Sequence, residues 1–149
     1  MQTTKTDAST LEMRKTLKAP VHKVFKAWTE PEHITKWFGC GKTERVKVTQ
    51  DFRVGGEYRV DLLCDDDENV SMFGTFLEIE RDSKLVYTWS NTSSEFPAKD
   101  TLVTVEFVDK GDTTELILKH SKFDKPVIVQ GHTMGWGASL DKFASLFEE

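Results

Sequence analysis

Ala19-Pro20-Val21-His22-Lys23-Val24-Phe25-Lys26-Ala27-Trp28-Thr29-Glu30-Pro31-Glu32, running on to Trp37-Phe38-Gly39, is the stretch that decides the fold. Pro20 suits a first helical turn, and Val21, Val24, Phe25 and Trp28 then recur at helical spacing, which predicts a short helix closing at Trp28. Thr29 and Glu32 have the spacing of a capping box. Pro31 is tolerated between them because first-turn amide protons have no intrahelical partner, so a second short helix is expected at once. That helix buries Ile34, Trp37 and Phe38. Gly39 and Gly41 then stop it, glycine being the residue that most readily takes the left-handed conformation after a helix end.

Beyond Gly41 the period changes. From Thr43 to Ser121 apolar residues alternate with polar ones, the pattern of half-buried antiparallel strands. Val46 and Val48 mark a first strand. Tyr58, Val60 and Leu62 mark a second, after a turn at Gly55-Gly56. The acidic run Asp65-Asp66-Asp67-Glu68 reads as a solvated hairpin turn, since it lacks the alternating ligands and glycine of a calcium loop. Met72 to Ile79 forms a third strand whose alternation blurs at Phe76-Leu77, which predicts a bulge. Leu85, Tyr87 and Trp89 share a face on a fourth, and Val103, Val105 and Phe107 on a fifth. Lys110-Gly111-Asp112 turns into a sixth, with Leu116, Leu118 and His120 on one face. Leu11 to Leu17 would make seven.

The chain closes with a helix whose Trp136, Leu140, Phe143 and Phe147 form an apolar stripe. Gly131, Gly135 and Gly137 sit in or near its first turns, although each interior glycine costs about 1 kcal/mol relative to alanine. Gly131 and Gly135 lie one turn apart on one face. They imply either close packing there, the reading we favour, or open space beside the helix.

With 149 residues, 38% of them hydrophobic, the chain is expected to form one domain, residues 9–149, behind a disordered tail over residues 1–8. A net charge of −5, with lysines interspersed among acids, argues against a nucleic-acid partner. No apolar run is long enough to span a membrane, and the polar start lacks a signal-peptide core, so a cytoplasmic location is expected. The two cysteines, Cys40 and Cys64, match no metal spacing. They read as free thiols, with a disulfide between them as the alternative. No phosphate-binding glycine loop, paired-cysteine site, zinc helix or nucleophile elbow is present, so no metal or cofactor is expected.

The opening stretch resembles the SRPBCC (START-like) domains of the heat-shock ATPase activator homologue family. Phe52-Arg53-Val54-Gly55-Gly56-Glu57-Tyr58, Gly74-x-Phe76-Leu77-Glu78-Ile79, Leu85-Val86-Tyr87-Thr88-Trp89 and Gly135-Trp136-x-x-x-Leu140 carry the same resemblance, over residues 9 to 149 in order. It implies an α+β helix-grip: a curved antiparallel sheet of about six to seven strands around a long C-terminal helix. Two short helices follow the first strand, and a cavity lies between sheet and helix. It also implies a ligand among lipids, sterols, polyketides or other apolar molecules. Eukaryotic chaperone activators carry a further N-terminal domain ahead of this module, and in that respect this chain departs from them.

Candidate ligand-binding residues are Trp28, Trp37, Phe38, Tyr58, Tyr87, Trp89, Phe96, His120 and Trp136, because large rings suit the wall of such a cavity and Tyr and Trp add a polar tip. No catalytic residue is assigned. His120 is the one candidate general base or polar anchor, and His132 is expected near it. Binding of a small apolar molecule is the first functional reading. A cofactor-independent enzyme such as a cyclase or hydrolase is the second, and an interaction module for a chaperone or other protein the third. A homodimer is a further possible assembly.

Overall fold

The computed structural model describes residues 2–39, 45–63 and 69–148. Their order is β1 (Gln2–Thr6), β2 (Leu11–Leu17), α1 (Val21–Thr29), α2 (Pro31–Trp37), β3 (Arg45–Gln50), β4 (Glu57–Leu63), β5 (Val70–Glu80), β6 (Lys84–Asn91), β7 (Thr101–Asp109), β8 (Thr114–Ser121) and α3 (Pro126–Ser145). The strands form one curved antiparallel sheet in the order β1-β2-β8-β7-β6-β5-β4-β3, with α3 against its inner face, which is the helix-grip architecture.

Alternation decides which side chains point inward. Leu11 and Met13 on β2, Val103 and Val105 on β7, and Leu116 and Leu118 on β8 are almost fully buried. On α3 the stripe Trp136, Leu140 and Phe143 lies against them, each side chain contributing about 2 kcal/mol by burial. Phe147 follows the helix end and packs edge-on to Phe143 at 5.3 Å. The expected bulge is present, with the β5–β6 register shifting between Phe76 and Glu78 and leaving Leu77 exposed. Gly111, at φ 86°, makes the β7–β8 turn, where the Lys110 amide donates to the Thr113 carbonyl at 3.0 Å.

Two expectations need correction. Residues 2–6 were expected within a disordered tail, but they form β1, paired with β2 from Gln2↔Lys15 to Thr6↔Leu11. This polar strand buries no face, so its side chains carry no periodic signal. Backbone pairing holds it, together with a tight turn in which the Asp7 carboxylate accepts from the amides of Ser9 and Thr10. Among the described residues the sheet therefore has eight strands, where six to seven were expected.

The Thr29/Glu32 capping box does not form. Helix α1 runs through Thr29, whose hydroxyl donates back to the Phe25 carbonyl at 2.8 Å. Glu30 ends α1 and starts α2 with no side-chain cap, its backbone serving both helices. Gly39, at φ 108°, turns the chain after α2. Gly41, both cysteines and the acidic run lie outside the described residues.

Candidate functional site: a two-lobed aromatic cavity

Where β4, β5 and β6 curve away from α3, space remains in two lobes, of about 50 Å³ and about 190 Å³. Phe38, from the end of α2, and Trp89, from β6, belong to both and form the wall between them, their ring centroids 5.9 Å apart. The smaller lobe lies among Trp28, Trp37, Tyr58, Phe76 and Tyr87. The larger lies among Leu62, Met72, Phe96, Trp136 and the helix face Gly131, Gly135 and Ser139. Its half-buried members, including Val70, Asn91, Phe96 and Gly135, mark the side that meets solvent. Among the described residues, neither lobe has an Asp, Glu, Lys or Arg in its lining.

The helix glycines divide between the two roles the sequence leaves open. A Cβ on Gly131 would lie 2.4 Å from the Phe96 ring, so this glycine admits Phe96 against the helix. A Cβ on Gly135 would meet nothing within 4 Å, so the second glycine opens onto the larger lobe.

The aromatic wall is also core. Trp28 stacks on Trp136 at 5.9 Å with the rings 9° from parallel, and Trp37 packs against Trp28 at 4.5 Å and Phe143 at 4.8 Å. The Trp37 indole donates to the Ala27 carbonyl at 2.9 Å. Ser139 exchanges two hydrogen bonds, each 3.2 Å, with the backbone of Gly39, which pins the residue after Phe38 to α3.

His120 lines neither lobe, which corrects its assignment as a ligand contact. Its side chain is fully buried behind Trp89 and Trp136, and both nitrogens are engaged. The Trp136 indole donates to Nδ1 at 3.1 Å, so Nε2 carries the proton and donates to the Thr101 hydroxyl at 2.7 Å. Thr101 in turn donates to the Trp89 carbonyl at 2.6 Å. Burial, with His132 nearby, holds the His120 pKa well below the ordinary value. A neutral imidazole with both nitrogens committed and no access to the cavity is not placed to act as a base there.

His132, as expected, lies near His120, their rings 5.3 Å apart, and it does line the larger lobe. Its Nδ1 donates to the Ile128 carbonyl at 3.0 Å, leaving Nε2 to accept from the Asn91 amide at 3.0 Å. Burial lowers its pKa, opposed by the carbonyl bond. The Tyr58 hydroxyl donates to the Thr88 carbonyl at 2.6 Å, and burial, with Tyr87 beside it, raises its pKa. Burial also raises that of Tyr87, opposed by the Trp28 indole. Both phenols are therefore neutral polar tips on an apolar wall.

Of the nine candidate residues, eight line one lobe or both, and His120 alone does not. Asn91 and Ser139 were not singled out from sequence. Asn91 continues the inward series Leu85, Tyr87, Trp89 on β6, and Ser139 continues Gly131 and Gly135 by one more turn, so both periods contained the signal.

Comparison with known proteins places this geometry in a wider group. No curated protein matches the chain. Among solved structures it is similar to protein CV1439 from Chromobacterium violaceum, with a TM-score of 0.79 and 23% identity over 95% of this chain and 99% of that one. A protein from Arthrobacter aurescens gives a TM-score of 0.80 and 18% identity over 97% and 90% of the two chains. CalU16 from Micromonospora echinospora gives 0.68 and 25% over 99% and 83%. These likenesses show the shared fold. The family model described as Activator of Hsp90 ATPase homolog 1-like protein matches residues 18–148, nearly the whole chain, and the chain belongs to that family as an SRPBCC-type member.

Proposed function

We propose that this protein binds one small, uncharged, aromatic or alicyclic molecule in the larger lobe. The observation that carries the reading is the opening of Gly135 onto an apolar space of about 190 Å³. A glycine in the middle of a 20-residue helix sacrifices helix stability. At Gly131 the Phe96 ring accounts for that sacrifice, whereas at Gly135 no atom of the described residues does.

Size and chemistry narrow the class. An apolar cavity of about 150 Å³ holds a benzene-sized guest, while drug-sized ligands need roughly 300 Å³ or more. The larger lobe therefore suits one ring or a fused pair, and lipids, sterols or polyketides exceed it in this conformation. A charged guest would lose its hydration without gaining a counter-ion among the described wall residues.

Indane, an uncharged fused-ring hydrocarbon, tests the reading through backbone amide chemical shifts. Saturable changes around Trp89, Gly135 and Trp136 are expected. Gly135→Leu, which fills the lobe from the helix side, should weaken binding by about tenfold or more. The absence of saturable changes in the wild-type protein, or undiminished affinity in Gly135→Leu, would contradict it.

A further inference from the structure

Most of the larger lobe's wall comes from strands and helices, but Ser93 and Phe96 reach it from the connection between β6 and β7. Among the described residues, Phe96 pairs with no other aromatic ring, whereas Phe38, Trp89 and Trp136 interlock. Phe96 stands outside the contiguous buried core and is half-buried on the side of the lobe that meets solvent. We propose that Phe96 is the door of the larger lobe: residues 93–97 form a strap that lifts the ring off Gly131 to admit a ligand and lowers it to retain one. The proposal rests on the binding reading above and adds the route into that site.

The strap is fixed at its ends and lightly held between them. At its start the Thr92 amide donates to the Ser71 carbonyl at 3.0 Å, and the Ser71 amide donates to the Thr92 hydroxyl at 2.9 Å. The two ends are joined where the Asn91 backbone amide donates to the Ala98 carbonyl at 2.9 Å and the Ala98 amide donates to the Asn91 side-chain oxygen at 3.2 Å. Between these anchors Phe96 is tied to side chains and not to the sheet ladder. Its amide donates to the Ser93 hydroxyl at 3.0 Å, and its carbonyl accepts from the Asn91 side-chain amide at 3.2 Å. Neutral hydrogen bonds of this kind exchange for bonds to water at small net cost, so the strap can open without unfolding sheet or helix. The seat of the ring supports the same assignment. A Cβ on Gly131 would lie 2.4 Å from the Phe96 ring, so α3 gives up helix stability there to let that ring close against it. Because the ring is no part of the core, that sacrifice is explained by what the ring covers, the mouth of an apolar lobe. Segments that open over ligand sites are drawn from the least tied connections of a fold.

Association and dissociation rates of indane, taken from the NMR line shapes of a titration, test the door. Phe96→Ala removes it, and both rates should rise, association by about tenfold, because entry no longer waits for a conformational change. A residue that merely lined the wall would change dissociation alone. Ser93→Ala keeps the ring and removes the tie to its backbone amide, so association should rise by about fivefold. An unchanged association rate in Phe96→Ala, or in Ser93→Ala if the first variant does not fold, would overturn the door and leave the binding reading intact. Failure of indane to bind the wild-type protein would overturn the two together.

Discussion

At the scale of single residues, the relay Trp136–His120–Thr101–Trp89 ties α3 to three neighbouring strands and depends on a neutral imidazole. Protonating Nδ1 would set it against the indole N–H of Trp136, two donors facing each other. His120 and His132 are both held below the ordinary histidine value, mainly by burial. An unfolded histidine titrates near 6.5, so below that pH the unfolded chain takes up protons that the folded chain refuses. Their stabilising contribution is full above about 6.5 and is lost as the pH falls from there toward the folded values. Urea unfolding should therefore show stability falling as the pH is lowered from roughly 7.5 to 5.5, a window above the carboxylate range. A stability independent of pH across that window would contradict the neutral pair. Strand alternation placed His120 on the inner face correctly, yet alternation carries no information about which neighbours take its nitrogens. Those neighbours, Thr101 and Trp136, lie 19 and 16 residues away in sequence.

Among the elements, α3 offers a paired comparison in one helix. Gly135→Ala should raise stability by about 0.5–1 kcal/mol, because alanine favours the helix and the new methyl meets open space. Gly131→Ala gains the same propensity but must displace the Phe96 ring, so its thermal midpoint should fall below that of Gly135→Ala. Equal midpoints for the two variants would show that the two glycines do not differ as described. The helix and its apolar stripe were legible from a 3.6-residue period, as were the inward faces of most strands from a period of two. The bulge was legible too, because an extra residue disturbs alternation locally at Phe76-Leu77. Strand β1 was not, since an edge strand with no buried face leaves no pattern in its side chains. Nor was the shared use of Glu30 by α1 and α2, because a Thr and a Glu at capping-box spacing look the same whether the first helix ends before Thr29 or after it.

For the whole molecule, the fold follows from many weak signals that agree: alternation in successive segments, two short helices, and a closing helix with one apolar face. The cavity is a different kind of property. It is the small volume left when rings such as Trp28, Phe38, Trp89 and Trp136 pack against each other, so it depends on side-chain rotamers that residue types do not set. The rings themselves could be named in advance, and the division of their space into two lobes could not. The central claim, that the larger lobe is a binding site and not a packing remainder, is tested most directly by a crystal structure of the protein grown with indane. The account predicts electron density for one molecule between Gly135 and Trp89, beside Phe38 and Trp136. A lobe collapsed by side chains, or indane ordered only elsewhere on the molecule, would contradict it.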